Sequence, residues 1–340
     1  MGKTLQSTEL LSYQILATTP AAGNVRVINA SHTSTGKREG DPNNPLTTLV
    51  DWSVAKHNVL YVVARGNQDR AEYNYPSNSY YGISVGSTEQ VRDVANQYRK
   101  VANTSNNFTR GKANRILTHI VAPGKHLRVA EQGGGTEWGS GSSFAAPHVT
   151  GTVALLQQYG DYQLTKAQWV GVASRNHLVM KSVILNSAEK IKGVLGMEKT
   201  ILKKDDKSTW EKSTADKSPS VPLDREMGVG QLNANRALQQ FAAEQYAPEG
   251  FGGVPVIGWS LDKVAQYKEG DADDVDVYTL NKKLKRGSHI SITLTWDRQV
   301  ELKEKGVANG KWERGERLTA APVAVREQDL DLYLVKKGRA

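Results

Sequence analysis

The sequence predicts an α/β protein in which helices flank a parallel sheet, followed by a partial antiparallel β-sandwich. Stretches with helical spacing at 9–17 and 46–56 are each followed by a short β-branched run, at 24–29 and 59–64. This alternation is typical of a parallel sheet covered by helices. Near the end of the chain, apolar and polar residues alternate instead, as they do in antiparallel strands with one buried face.

Further elements follow in order. Apolar runs at 82–86 and 116–121, each closed by Gly, Pro or polar residues, predict two more strands. A core helix is predicted from 143 to 159, because its apolar positions recur at three- and four-residue spacing. These positions are Ala146, Val149, Val153 and Leu156.

The domain boundary is predicted at 249–253, a glycine-rich run after Pro248. We expect a partial α/β domain over 1–248 and a truncated β-sandwich over 254–340, with strands at 288–296 and 330–335. Residues 199–222, rich in Lys, Asp, Ser and Thr, are expected to form an exposed insertion. Because 330–335 is a mid-domain strand close to the end, we expect the chain to be cut at both termini.

Composition narrows the classes of function. The net charge is +9, but the basic residues are interleaved with acidic ones and form no aromatic-interleaved stripe, so no nucleic-acid partner is expected. The longest apolar runs are strand-sized, far below the ~20 residues of a membrane-spanning helix. There are no cysteines, which excludes disulfides and thiolate metal sites. No signal peptide is visible, and the compartment and oligomeric state stay open.

The run 139–151 contains the clearest chemical signal. Small residues lead into the predicted helix, and Ser143 stands at the junction. A serine at this position lies next to main-chain N–H groups at the positive end of the helix dipole. Negative charge that develops near it is therefore stabilised. We predict that Ser143 is a nucleophile, with a serine-rich helix cap as the alternative.

A second signal is Asn67, which closes the predicted strand 59–64 after Arg65 and Gly66. On its own, a Gly-Asn pair after a strand is more often a plain turn. The two segments together, however, resemble the subtilisin family of serine proteases. Run 139–151 follows the order of that family's serine motif: Gly, Ser, the nucleophilic Ser, a bulky apolar residue, two small residues, Pro, His and Val.

Weaker matches follow in the family's order, so the resemblance covers about residues 22–238. They lie at 27–31, 75–76, 83–86, 121–124 and 228–234. Two later segments, 294–297 and 329–332, resemble the β-domain appended to some members. The resemblance therefore implies a partial subtilisin-like fold.

The resemblance also implies acyl transfer on a peptide or protein substrate, without a cofactor. It makes Ser143 the nucleophile and Asn67 a donor that binds the oxyanion together with the Ser143 N–H. Four more residues are expected to line the substrate cleft: Ser31, His32, Ala64 and Gly66. The family's Asp-Ser/Thr-Gly and His-Gly-Thr-His segments, which carry the other two triad residues, are absent from the sequence.

No histidine is predicted to replace the missing base. His148 lies five residues after Ser143, so on a helix it is rotated away by about 140°. His32 is expected to be a loop histidine, with a catalytic role as the lesser alternative. The remaining histidines show no partnering pattern: His57, His119, His126, His177 and His289. Since serine without a base is a poor nucleophile, we expect the chain alone to be inactive.

Two interpretations remain. In the first, this is a stretch of a subtilisin-like endopeptidase whose Asp and His are encoded upstream of Met1. In the second, it is a pseudoprotease that keeps the cleft as a peptide-binding module. The second is disfavoured, because loss of the front half would expose apolar edges and faces of a parallel sheet.

No metal site is predicted. The acidic group at 271–276 lacks EF-hand spacing, since Val275 and Asp276 occupy its fifth and sixth positions. A solvated loop is expected there, with calcium as the alternative. The glycines at 133–135 are expected to form a flexible turn, because no Lys-Ser/Thr pair follows to complete a phosphate cradle.

Overall fold

The computed structural model describes the following residues: 24–36, 44–67, 73–90, 98–102, 115–166, 173–189, 223–243, 245–248, 253–264, 276–286, 288, 290–297, 300, 304–305 and 317–318. The helices within them are α1 (Pro45–His57), α2 (Ser142–Thr165), α3 (His177–Asn186) and α4 (Ala234–Ala242), with a 3-10 turn at Ala173–Arg175. The strands are β1 (Val27–Ala30), β2 (Ser34–Gly36), β3 (Leu60–Ala64), β4 (Tyr73–Tyr75), β5 (Ile83–Gln90), β6 (Tyr98–Val101), β7 (Ile120–Pro123), β8 (Leu127–Ala130), β9 (Thr136–Gly139), β10 (Glu304–Lys305) and β11 (Arg317–Leu318).

The central sheet is mainly parallel, which confirms the α/β prediction. Strands β1, β3, β5 and β7 lie side by side in that order, and all three pairings are parallel. Strand β6 pairs with the far part of β5 in the antiparallel direction. Because parallel strands end at one edge, the segments that follow β1, β3 and β7 emerge together at the carboxyl edge, where α/β proteins carry their sites.

Strand β3 shows how the sheet is buried on both faces. All five of its residues are buried. Leu60, Val62 and Ala64 pack into one apolar cluster with helices α2 and α3, while Tyr61 and Val63 pack into a second cluster with α1. The continuous apolar run at 59–64 therefore reflects helices on both sides of a parallel strand.

The predicted core helix is confirmed. Helix α2 begins at Ser142, next to the predicted start, and continues to Thr165. Its four predicted core positions are all buried: Ala146, Val149, Val153 and Leu156. Burial of each larger apolar side chain stabilises the fold by about 1.5–3 kcal/mol, so this helix is firmly held against the sheet.

One predicted strand is shifted. The run 116–121 becomes β7 only from Ile120, because the residues before it bond to other segments. The carbonyl of His119 accepts the N–H of Val229 at 2.8 Å, and the His119 N–H donates to the Ser84 carbonyl at 3.0 Å. The predicted helix at 9–17 lies outside the described residues.

The predicted strand at 288–296 differs from expectation. Residues 290–297 pair with no strand in the part of the chain that the structure describes. Their polar side contacts helix α3: the Ser291 hydroxyl donates to the Asn186 side chain at 2.8 Å, and the Thr295 hydroxyl donates to the Leu178 carbonyl at 3.1 Å. The apolar side is exposed: Ile290, Ile292, Leu294 and Trp296. Apolar and polar residues do alternate in 290–297. However, the side that contacts α3 is the polar one, through hydroxyl donors, and the apolar side faces away from that helix.

The domain division stays a prediction. Both the insertion 199–222 and the segment 330–335 lie outside the described residues, as does most of the boundary at 249–253. None of the described helices is long and apolar enough to cross a membrane.

Candidate functional site

The predicted site residues come from three places that meet at the carboxyl edge of the sheet. Ser31 follows β1, Asn67 follows β3, and Ser143 is the second residue of α2. The two segments that the sequence analysis singled out are thus brought together. Their contact is made through Ser142, the residue beside the predicted nucleophile.

Ser142 joins the end of β3 to the start of α2. Its main-chain N–H donates to the side-chain oxygen of Asn67 at 2.6 Å, and its hydroxyl donates to the same oxygen at 2.8 Å. The Gly66 N–H in turn donates to the Ser142 hydroxyl at 2.9 Å. Because the amide oxygen of Asn67 is held in this way, its NH₂ group is the part that remains to bind an oxyanion.

Glycine is required where these segments approach each other. Gly141 precedes α2 with φ of +148°, and a Cβ atom there would lie 2.7 Å from the amide nitrogen of Asn67. Gly66 has φ of +101°, and a Cβ atom there would overlap the side-chain amide of Asn74. Both positions therefore exclude a side chain. At Gly141, the missing side chain lets Asn67 reach the N-terminus of α2.

Ser143 is half-buried in the first turn of α2. The Ser31 hydroxyl donates to the carbonyl oxygen of Ser143 at 2.9 Å, which places the end of β1 beside the predicted nucleophile. The N–H groups of a first helical turn have no partner within the helix, so negative charge is stabilised there. Within the described residues, no side chain hydrogen-bonds the Ser143 hydroxyl.

The other predicted cleft residues are placed differently. His32 is exposed next to Ser31. Ala64 is 2% exposed and its methyl group lies in the core beside α2, so only its main chain could meet a ligand. Gly66 is buried and donates its N–H to Ser142. The role of these residues as a cleft lining stays a prediction.

Arg65, between Ala64 and Gly66, is fully buried. Its guanidinium donates to the Ser77 hydroxyl at 3.4 Å. A charged side chain beside the candidate oxyanion donor therefore points into the protein and leaves the carboxyl edge uncharged at this position.

Neither His148 nor His126 hydrogen-bonds the Ser143 hydroxyl, and the catalytic role of His32 stays the lesser alternative. A ring nitrogen of His148 lies 2.9 Å from the Phe144 carbonyl, one turn back along α2. His126, which follows β7, is exposed. Its main-chain N–H donates to the Ser140 hydroxyl at 3.0 Å.

Two other histidines lie at the opposite, amino edge of the sheet. Burial, with a smaller effect of Lys56, lowers the pKa of His57. Burial, reinforced by Lys181 and Arg115, holds the pKa of His119 well below 6.5, so its imidazole is neutral and accepts the Ser84 N–H at 3.1 Å. His289 lies outside the described residues.

His177, whose sequence context shows no partnering pattern, has two side-chain partners in the structure. Its Nε2 lies 2.9 Å from a carboxylate oxygen of Asp297, and its Nδ1 lies 2.8 Å from the Asn58 side-chain oxygen. Asn58 lies two residues before β3, so this histidine–aspartate pair also lies at the amino edge, across the sheet from Ser143. Sequence patterns do not reveal this pair, because the two residues are 120 positions apart.

No group of three or more His, Asp or Glu side chains that could hold a metal ion occurs among the described residues. The acidic group at 271–276 falls outside them except for Asp276. The expectation that the site needs no metal or other cofactor stays a prediction.

Comparison with known proteins identifies the family to which the chain is similar. The model of the subtilase family matches residues 3–230. Subtilisin BL of Lederbergia lenta is 30% identical over 135 residues, which cover 40% of this chain and 43% of that protein. Alkaline elastase YaB of Bacillus sp. (strain YaB) is 31% identical over 120 residues, which cover 35% of this chain and 26% of that protein. The chain thus matches less than half the length of these relatives.

Solved structures similar to this one include the prenylagaramide maturation protease PagA, with 22% identity and a TM-score of 0.47, covering 68% of this chain and 66% of that one. The self-cleaved protease domain of PatA has 23% identity and a TM-score of 0.46, covering 68% and 67%. The family match spans the described parallel sheet, the Asn67 turn and the start of helix α2. The chain therefore belongs to the subtilase family.

Proposed function

We propose that this chain carries the nucleophile half of a serine endopeptidase that hydrolyses peptide bonds by acyl transfer. The observation that supports it is the contact between Asn67 and the start of α2. The Ser143 hydroxyl would attack the peptide carbonyl, and the Asn67 amide with the Ser143 N–H would bind the resulting oxyanion. Loss of such an amide donor costs about 10²–10³-fold in turnover, a magnitude that comes from a subtilisin.

The substrate would lie across the carboxyl edge of the sheet. Ser31, His32, Ala64 and Gly66 would line the half of the cleft that takes the acyl part, since they follow β1 or end β3. Ser31 is already in contact with the Ser143 main chain.

Proton transfer would depend on a histidine and an aspartate that this sequence does not provide in the family's motifs. Removal of the histidine alone costs on the order of 10⁶-fold in subtilisin. We therefore propose that the 340-residue chain alone does not hydrolyse peptides measurably. The alternative is a pseudoprotease that binds peptides in the same cleft without cleaving them.

The test compares the chain alone with a longer form. Genomic sequence in frame before the Met1 codon is searched for the Asp-Ser/Thr-Gly and His-Gly-Thr-His motifs, and both forms are assayed on a fluorogenic peptide. We expect hydrolysis only by the longer form. It should be lost in Ser143→Ala and reduced much less in Ser142→Ala, which keeps the main-chain bond to Asn67.

Rapid labelling of Ser143 by a fluorophosphonate in the chain alone would contradict its inactivity. Hydrolysis by the longer form that survives Ser143→Ala would contradict the assignment of the nucleophile. If the two motifs are not encoded upstream and peptides still bind, the pseudoprotease alternative is supported instead.

A further inference from the structure

The carbonyl group of Ser143 lacks its usual partner within helix α2. In an α-helix each carbonyl accepts the N–H of the residue four positions later, and for Ser143 that residue is Pro147. Proline has no N–H, and its ring crowds the carbonyl four residues before it. The first turn of α2 is therefore short of one main-chain hydrogen bond at the predicted nucleophile.

A serine at the end of the neighbouring strand supplies a donor instead. Ser31 follows β1, and its hydroxyl donates to the Ser143 carbonyl at 2.9 Å. A half-buried carbonyl without a donor would destabilise the turn, so this bond satisfies a group that the helix leaves open. Because the hydroxyl proton of Ser31 is used in this bond, its oxygen can only accept from its other neighbours.

Asn29, on β1, fixes the direction of that hydroxyl. Its side-chain NH₂ group donates to the Ser31 oxygen at 2.7 Å, and its side-chain oxygen accepts the Thr150 hydroxyl at 3.0 Å. Thr150 lies about two turns after Ser143 on the same side of α2. We call Asn29, Ser31 and Thr150 the bracket. It joins β1 to α2 across the turn that Pro147 interrupts.

We propose that the bracket positions the Ser143 nucleophile. This inference rests on the proposed function. The two groups that Ser143 would use, its hydroxyl and its main-chain N–H, both belong to the first turn of α2, so movement of this turn displaces them together. A displacement of about 1 Å at a reacting centre can cost about 10²-fold in rate. Asn29 and Thr150 are positioning residues, because they act through Ser31.

Asn29→Asp tests the bracket with little change of shape. A carboxylate accepts hydrogen bonds but does not donate them, so the Ser31 hydroxyl would turn toward it and leave the Ser143 carbonyl. Amide hydrogen exchange over 143–151 of the 340-residue chain, measured by mass spectrometry, should become about 3- to 10-fold faster. Pro147→Ala supplies the missing N–H. In that background, Asn29→Asp should change the exchange rate by less than about 2-fold.

The longer form tests the effect on catalysis. In Asn29→Asp, kcat for the fluorogenic peptide should fall by about 3- to 10-fold with little change in KM, because the nucleophile is displaced while the cleft stays in place. Thr150→Val, which loses the hydroxyl at similar volume, should lower kcat in the same direction, and Thr150→Ser should restore it. Such a rescue separates the hydrogen bond from side-chain packing.

Arg26→Met is the matched control. Arg26 immediately precedes β1 and also bonds α2, but its partner is Asp161, at 2.8 Å and about five turns after Ser143. This variant removes a contact between the same two elements without touching the bracket. It should change neither the exchange rate over 143–151 nor kcat.

The two measurements separate this inference from the proposed function. Unchanged exchange in Asn29→Asp, or an equal change with and without Pro147→Ala, overturns the inference whether or not the longer form is active. Faster exchange with an unchanged kcat in an active longer form also overturns it, while the proposed function stands. If the longer form does not hydrolyse the peptide, the proposed function fails and the positioning of a nucleophile fails with it.

Discussion

The side-chain oxygen of Asn67 accepts the main-chain N–H of Ser142 at 2.6 Å, a hydrogen bond between residues 75 positions apart. It fixes an amide beside the N-terminus of a helix of 24 residues. The geometry assigns different work to two adjacent serines. Ser142 holds the turn together, whereas no described side chain hydrogen-bonds the hydroxyl of Ser143, the predicted nucleophile.

Substitution of each serine should therefore affect the stability of the protein differently. Ser142→Ala leaves the buried Gly66 N–H without its acceptor, which should lower the free energy of unfolding by about 1–3 kcal/mol. Ser143→Ala should change it by less than about 0.5 kcal/mol, since the Ser143 hydroxyl bonds no described side chain. Urea denaturation measures both, and equal losses in the two variants would contradict the assignment.

Gly66 should not tolerate a side chain. Gly66→Ala combines a positive φ with overlap of the Asn74 amide, so we expect a loss of about 3 kcal/mol or more. Gly133→Ala is the control, because Gly133 has φ of +93° with nothing within 4 Å of its Cβ position. That variant should lose only the backbone part, about 1 kcal/mol. If Asn74→Ala costs as much stability in the Gly66→Ala background as in the parent, overlap is not the cause.

The titration of Lys181 should raise the free energy of unfolding as the pH increases above about 8. Burial lowers its pKa from 10.5 to about 8, although Asp51 and Asp297 partly offset this. Between these two pH values the unfolded chain binds the proton and the folded chain does not, so stability rises with pH by at most about 1.4 kcal/mol per unit. Lys181→Met should flatten the difference between pH 8 and pH 10 in denaturant titrations.

Tyr61 limits the upper end of that window. Burial raises its pKa to about 12, so above pH 10 the unfolded chain loses a proton that the folded chain keeps, and stability falls. Measurements below pH 10 therefore isolate the lysine. An unchanged slope in Lys181→Met would show that this amine is not the group responsible.

His119 should contribute to acid sensitivity. Because its folded pKa lies well below 6.5, the unfolded chain takes up a proton first as the pH falls. Its contribution to stability is thus complete above about pH 6.5 and is lost progressively below it, by up to about 1.4 kcal/mol per unit.

His119→Gln keeps an acceptor for the Ser84 N–H and cannot titrate. Denaturation of both proteins at pH 6.5 and pH 5 should show a smaller decrease for this variant, since all other titrating groups are shared. An identical decrease would mean that folding does not lower the pKa of His119.

Local pattern in the sequence determined the α/β class, the helix that begins at Ser142 and the strand that ends before Asn67. Periodicity and small-residue turns are properties of neighbouring residues, so they can be recognised without coordinates. The order of the motif residues around Ser143 likewise predicted the family, and the comparison with known proteins confirmed it.

Only the tertiary structure decided how distant groups meet. It made Ser142 the residue that joins the two motifs, buried Arg65 and paired His177 with Asp297. It also turned the polar side of 290–297 toward α3, where hydroxyl donors satisfy helix acceptors. Apart from the burial of Arg65, these outcomes depend on pairs of residues 75 to 120 positions apart, and hydrogen bonds over such separations leave no periodic trace in a single sequence.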